Sequence, residues 1–267
     1  MISAPPLHAE EAGSGRPVVL IHGFATSGRA LSDVARALSA DRRVVSVDLR
    51  GHGRSPPPAG PFSLEDHGAD VAALVRSLGL ERPVLLGWSL GAQVALAAAA
   101  RLADARTPAS GLALVAATAR FTAAEGHPHG LARTQVDALA ARMRIHQGKA
   151  LARFFASCFT RDELAPDARD RAVARLAAEP PDAGAARGAL DALREGDLRP
   201  VAGRIDVPVL LLHGEEDAIV PAGASAALAG SLARARRVTF PRTGHAPFLS
   251  RLADLLAPVR SFLAELP

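Results

Sequence analysis

Six short apolar runs punctuate the chain, at Pro17 to Ile21, Val44 to Val47, Pro83 to Leu86, Leu112 to Val115, Val207 to Leu212 and Arg237 to Phe240. Bounded by Gly or Pro and separated by stretches of helical spacing, they read as strands buried on both faces. Between them, Leu31 to Leu38, Leu64 to Leu78, Leu90 to Leu102 and Ala222 to Ala233 carry the three-to-four-residue apolar repeat of helices. Leu252 to Leu263 closes the chain as a further helix, in which Pro258 predicts a kink. Ser63, with Asp66 three residues on, has the spacing of an N-cap ahead of the Leu64 helix. Strands alternating with helices predict a mostly parallel central sheet flanked by helices, the α/β class.

The alternation breaks once. From 119 to 200 the strand signal vanishes and helical segments take over, around Leu131 to Phe159, Ala168 to Ala178 and Gly184 to Leu193, with Pro180-Pro181 as a break. An all-helical insertion between two strands of a parallel sheet predicts a lid over the sheet's C-terminal edge, where α/β proteins bind ligands. The expected organisation is one core, residues 1–118 and 201–267, with a lid at 119–200. There is no internal repeat and no low-complexity linker.

Composition narrows the class without changing it. The 267 residues are 49% hydrophobic and 22% charged, a balance suited to one substantial globular core. The start lacks the charged-then-apolar pattern of a secretory signal, and Val94 to Ala100, the most apolar stretch, is too short to span a bilayer. A cytoplasmic protein with no membrane association is expected. The single cysteine, Cys158, permits no internal disulfide and reads as a packed lid residue. The net charge of +4 rests almost wholly on Arg, with Lys149 the one lysine; with nine Phe, one Trp and no Tyr there is no stacking platform, so nucleic acid is not an expected partner.

Gly87-Trp88-Ser89-Leu90-Gly91 follows an apolar strand and opens an Ala-rich helix. This is the strand–turn–helix setting of a nucleophile elbow, in which the serine sits on a sharp turn and flanking glycines leave room for the neighbouring strand and helix. The five-residue pattern alone arises by chance in roughly one chain in ten of this length; its setting is what makes it informative. A serine hydroxyl needs a base to take its proton and an acid to hold that base. Leu210-Leu-Leu-His-Gly-Glu-Glu-Asp217 ends a strand in an acidic turn, and Gly244-His245-Ala-Pro247 follows the next. The order Ser89, Asp217, His245 is that of this fold class. Glu215 and Glu216 compete with Asp217, which is favoured because it stands where the chain turns into the next helix.

The amide of Leu90, after the nucleophile, is one expected oxyanion donor, and that of Phe24, in His22-Gly23-Phe24 after an early strand, is the other. His22 then reads as structural. The Gly-rich loop Asp48 to Ser55 lacks both the phosphate-loop lysine and the dinucleotide glycine spacing, so it reads as a turn. The nine histidines form no metal-site grouping, and neither metal nor cofactor is implied.

Together, His22-Gly23, Asp48 to Ser55, Gly87 to Gly91, Asp217 and Gly244-His245 resemble the α/β-hydrolase superfamily over the whole chain. Within it, Gly87-Trp-Ser-Leu-Gly91, Asp197-Leu-Arg-Pro200, Asp217 through Pro221 and His245-Ala-Pro-Phe-Leu-Ser250 look like the pimeloyl-acyl-carrier-protein methyl ester esterases of biotin synthesis. The resemblance implies a Ser89–His245–Asp217 triad, a substrate wall that includes Phe24, Trp88, Phe121 and Phe154, and basic lid residues that receive an acidic carrier protein. Phe24 stands where the best-known member has Trp. Arg142, His146, Lys149 and Arg153 recur at steps of four, three and four, which on a helix from Leu131 to Phe159 makes one basic face that Gly148 could break. From Arg133 to Arg175 there are nine Arg or Lys against five Asp or Glu. Arg169 also matches a basic family position, whereas Ala165, four before it, departs from the pattern.

The expectation is therefore a monomeric serine carboxylesterase that hydrolyses the methyl ester of a pimeloyl group presented on an acyl carrier protein. The alternatives are a general small-molecule carboxylesterase, lactonase or haloperoxidase-like hydrolase, and a non-catalytic ligand receptor on the same fold.

Overall fold

The computed structural model describes residues 7–267. An edge strand β1 (Ala9–Ala12) precedes β2 (Pro17–Ile21), a 3-10 turn at Gly28–Leu31, α1 (Ser32–Leu38) and β3 (Arg43–Val47). Then come α2 (Leu64–Ser77), β4 (Val84–Trp88), α3 (Leu90–Asp104) and β5 (Gly111–Val115). The seven-stranded sheet is completed by β6 (Val209–Gly214) and β7 (Ala235–Phe240), in the order β1-β3-β2-β4-β5-β6-β7. Every neighbouring pair is parallel except β1 with β3, whose register runs from Ala9 opposite Val47 to Ala12 opposite Val44.

The sheet's centre accounts for its apolar runs. All residues of β4, β5 and β6 are buried, as strands covered on both faces must be. β1 escaped the sequence reading because it is a short, largely exposed edge with two glutamates, so its side chains answer to solvent and carry no apolar run. β6 begins at Val209, two residues later than the apolar run, and β7 begins at Ala235, two earlier. Ser63 caps α2 as expected: its hydroxyl accepts from the Asp66 amide (3.2 Å) and the Asp66 carboxylate accepts from the Ser63 amide (2.8 Å).

Between β5 and β6 lie α4 (Arg133–Ala156), α5 (Pro166–Leu176), α6 (Ala183–Glu195) and the single turn α7 (Arg199–Ala202), with isolated bridges only in the stretch before α4, where Arg120 pairs with Asp197 and Thr122 with Leu131. Two ion-paired tethers tie this layer to the core: Arg175 of α5 reaches Asp33 and the Ser32 hydroxyl of α1, and Glu179 pairs with Arg29 (2.9 Å) and accepts from the Ser27 hydroxyl (2.7 Å). α8 (Ala222–Ser231), α9 (Pro247–Ser250) and α10 (Leu252–Glu265) follow β6 and β7, and α10 continues through Pro258 without a break in the helix. No helix among the described residues is long and apolar enough to cross a membrane.

Candidate active site

Ser89 is the residue between β4 and α3, and its backbone has φ 57° and ψ −115°, a left-handed conformation costly for a side-chain-bearing residue. The turn is possible because Gly87 and Gly91 lie on either side: a Cβ on Gly87 would collide with the Gly91 carbonyl, and one on Gly91 with the Ile21 carbonyl of β2. Only 8% of Ser89 is exposed. It sits at the N-terminus of α3, where unpaired amides and the helix dipole favour developing negative charge.

His245 lies in the loop after β7, its ring 1% exposed, and its Nδ1 is 2.7 Å from Oδ2 of Asp217. Its Nε2 is buried and takes no hydrogen bond from the described residues, which leaves it open for a proton in transfer. The Nδ1 contact with a carboxylate requires Nδ1–H, and hence a basic Nε2 in the neutral ring. Trp88 ties the elbow to this loop: its indole N–H donates to the His245 carbonyl (2.9 Å), and its ring packs on the imidazole and on Phe248. That places Trp88, 2% exposed, beneath the histidine instead of at the substrate's entrance, because its hydrogen bond and packing turn it into the core.

Asp217 receives three hydrogen bonds and lies close to a fourth polar group. The Ile219 and Val220 amides reach Oδ1 at 2.8 and 2.9 Å, and Oδ2 faces both His245 and Nε2 of His213 (3.2 Å). Burial alone would raise this carboxyl, but the charge of His245 and the hydrogen bonds from His213 and His245 hold it below the usual carboxylate range. His213 also lies 2.8 Å from the Val220 carbonyl, which fixes Nε2–H as the donor. The sequence carries one signal for this histidine, its place at the end of β6 four residues before Asp217, and that spacing alone assigns it no role. Glu215 accepts instead from the Thr239 hydroxyl (2.8 Å), and both Glu215 and Glu216 are exposed, which leaves Asp217 as the buried acid.

Neither the Leu90 amide, first in α3 and next to Ser89, nor the Phe24 amide, in the loop after β2, forms a hydrogen bond among the described residues, so both donors are free. Phe24 itself is buried. His22 holds the turn before it: Nδ1 lies 2.8 Å from the Gly23 carbonyl and Nε2 accepts from the Leu49 amide (2.9 Å). Burial pushes its pKa down to about 4, so it is a neutral scaffold residue. The Asp48 carboxylate organises the Asp48 to Ser55 loop, accepting from the Arg54 amide (3.0 Å) and, outside the loop, from the Gly28 amide (2.8 Å). No group of three metal-ligating side chains occurs among the described residues.

A cavity of about 240 Å³ opens between the lid and the acid loop. Phe121, Leu131, Val136, Leu139 and Phe154 wall it, Ala218 and Ile219 form the side next to Asp217, and Arg142 and Arg153 lie among its lining. Ser89 and His245 are not in that lining. Phe154 connects the two regions, since it walls the cavity and packs edge-on against Phe24 (5.7 Å). The expected basic stripe is altered: α4 is kinked at His146 (φ −157°, ψ 87°), so the four residues do not share one straight helix face. Arg142, Lys149 and Arg153 are exposed and have no ion pair among the described residues, while Ile145 stands exposed between them. Arg169, expected at the carrier contact, instead donates to the carbonyls of Ala156 (2.9 Å), Phe159 (3.5 Å) and Thr160 (3.4 Å) and so closes the end of α4. The thiol of Cys158 is buried, and that burial, with the charges of Asp217 and Glu163, pushes it well above the usual thiol range; it is no nucleophile.

Comparison with known proteins follows the same lines. A sequence profile described as the alpha/beta hydrolase fold matches residues 16–252. A protein of Chromobacterium violaceum named pimeloyl-[acyl-carrier protein] methyl ester esterase is 38% identical over 96% of this chain and 98% of its own length. One of the same name from Neisseria meningitidis serogroup C is 36% identical over 93% of each chain. Among solved structures, an esterase from Exiguobacterium antarcticum superposes with a TM-score of 0.88 at 27% identity, over 97% of this chain and 96% of that one.

Proposed function

From the premise that this chain belongs to the α/β-hydrolase fold family and is a hydrolase of the esterase type, we propose that Ser89, His245 and Asp217 are its triad and that it cleaves the methyl ester of a pimeloyl group carried on an acyl carrier protein. The observation that carries the triad is the buried Asp217–His245 pair with a free Nε2, joined through Trp88 to a serine on a strained strand–helix turn. The full-length likeness to esterases named for that substrate carries the specific reaction.

In this reading Nε2 of His245 takes the Ser89 hydroxyl proton as Oγ bonds to the ester carbonyl carbon. The Phe24 and Leu90 amides hold the resulting oxyanion. As the tetrahedral species collapses, His245 protonates the departing methoxide and methanol leaves. A water then gives its proton to His245 and attacks the acyl-enzyme carbonyl. The carboxylic acid departs and Ser89 regains its proton. Asp217, kept ionised by the Ile219 and Val220 amides and by the histidines beside it, stabilises the imidazolium in both halves. The apolar cavity beside Phe154 suits the methylene chain, and Arg142 and Arg153 in its lining, with Lys149 exposed on the same helix, suit an acidic carrier protein that arrives in the cytoplasm.

The test compares methyl ester hydrolysis on pimeloyl carrier protein with hydrolysis of a free short-chain ester. Ser89→Ala should abolish both. A variant carrying Arg142→Glu, Lys149→Glu and Arg153→Glu should lose the carrier-linked rate and keep the free-ester rate. If wild type cleaves only the free ester, or the lid charges leave the carrier-linked rate untouched, a general carboxylesterase is the better reading. Failure of a fluorophosphonate to label Ser89 would leave only the receptor.

A further inference from the structure

The catalytic-loop backbone is held from the lid. Glu163 lies in the turn between α4 and α5, and its Oε2 accepts from the Thr160 amide and from the Gly244 amide, each at 2.9 Å. Its Oε1 accepts from the Ser250 hydroxyl (2.5 Å) at the end of α9. One carboxylate thus grips the residue before His245 and the short helix after it. The amide of His245 itself donates to the Cys158 carbonyl (2.7 Å), from the same lid turn. Contact is so close that a Cβ on Gly244 would collide with that carbonyl, which accounts for glycine there.

The imidazole is anchored at one end by Asp217 and can pivot about that hydrogen bond unless its backbone is also fixed. The direction of Nε2 depends on both anchors: the Trp88 indole holds the backbone from the core at the His245 carbonyl, and Cys158 and Glu163 hold it from the lid at the His245 and Gly244 amides. Apart from its own turn's Thr160, every partner of the Glu163 carboxylate belongs to the histidine loop and α9. The turn is also continuous with the cavity, since Phe154 and Ser157 line it and Cys158 is the next residue.

We propose that Glu163 is a positioning residue for His245, and that the lid thereby sets the rate of acyl transfer as well as the choice of substrate. This rests on the reading of His245 as the general base. A misplacement of about 1 Å at a reacting group lowers rates by about 100-fold, so a loop freed from its carboxylate has much to lose in turnover and little in substrate affinity.

The experiment uses the full chain and p-nitrophenyl butyrate, which needs no carrier, with rates normalised to sites titrated by a fluorophosphonate. Glu163→Ala is expected to lower kcat by about 10- to 100-fold with KM changed by no more than about twofold. Glu163→Gln keeps an oxygen for the two amides and an amide group for Ser250, and should restore kcat to within about threefold of wild type. If Glu163 only braces the fold, Glu163→Ala lowers Tm and the titrated fraction while kcat per titrated site equals wild type, and the proposal fails. Should Glu163→Ala not fold, Ser250→Ala decides: kcat down severalfold at constant KM supports the proposal, and an unchanged kcat overturns it. Absence of labelling in wild type itself would remove the esterase reading and this proposal with it, an outcome distinct from a normal rate in labelled variants.

Discussion

Acid should unfold this protein through its buried histidines His22, His52 and His67, whose pKa values burial pushes down. His22 and His52 are 0% exposed, with ring centroids 5.3 Å apart. Burial pushes His22 down to about 4; burial, and then the charge of His22, pushes His52 down to about 3. The carbonyl of Arg50 and the charges of Asp48 and Asp182 oppose the shift of His52 without cancelling it. Both pKa values are lowered in the folded state, so below about 6.5 the unfolded chain binds the extra protons, and stability falls as pH drops from 6.5 towards 4. At about 1.4 kcal/mol per unit, each ring removes about 2 to 3 kcal/mol between pH 7.5 and 4.5. The pair is coupled, so the sum is only roughly additive, but it is comparable with the whole stability of a marginal domain, about 5 kcal/mol. The assay is urea unfolding across that pH range, followed by the fluorescence of Trp88, the one tryptophan. His52→Phe keeps a buried ring, loses only the Nδ1 contact with the Arg50 carbonyl (2.9 Å), and cannot titrate. Its acid loss should be smaller than that of wild type by about 2 kcal/mol or more. Identical losses in the two proteins would refute the reasoning, since His52 would then have the same protonation behaviour folded and unfolded.

Three further outcomes follow from the site. Asp217→Asn should lower kcat by about 10⁴-fold, because an amide in place of Oδ2 disturbs the tautomer that presents a basic Nε2; steady-state kinetics on any accepted ester measures it. Gly91→Ala should cost more than about 2 kcal/mol, or prevent folding, since the added methyl meets the β2 backbone, and thermal unfolding of soluble protein reads this directly. Arg169→Ala should lower Tm and leave KM for a carrier-linked ester unchanged within about twofold, because its guanidinium is committed to the carbonyls ending α4; a large rise in KM would restore it to the carrier contact.

The parallel core was legible because strands covered on both faces must be continuously apolar, as in β4, β5 and β6, and because Gly87 and Gly91 answer to a collision that any side chain would cause. The places of Ser89 and Asp217 follow β4 and β6, whereas His245 follows the partly exposed β7 and was marked by its Gly-His-Ala-Pro turn. What stayed hidden depends on pairing at long range. β1 is too exposed to carry a pattern, and the bend falls at His146, two residues before Gly148, the position at which the sequence offered a break. Trp88 resembled an entrance residue until its hydrogen bond to the His245 carbonyl, 157 positions away, turned it inward. Glu163 had no local signal at all, for its partners Gly244 and Ser250 lie 81 and 87 residues further along.

The abutment of Gly244 on the Cys158 carbonyl bears on how such enzymes diversify. Substrate range in a hydrolase of this architecture changes by exchange of the helical insertion, yet here residues 158–163 are shared property of insertion and core. A chimera cut cleanly at β5 and β6 would import a foreign turn against a loop shaped to this one, and would misalign the histidine even with every core residue intact. The tolerant material is the cavity-facing surface of α4. Grafts that preserve the Cys158–Glu163 turn should therefore remain turnover-competent far more often than grafts of the whole segment.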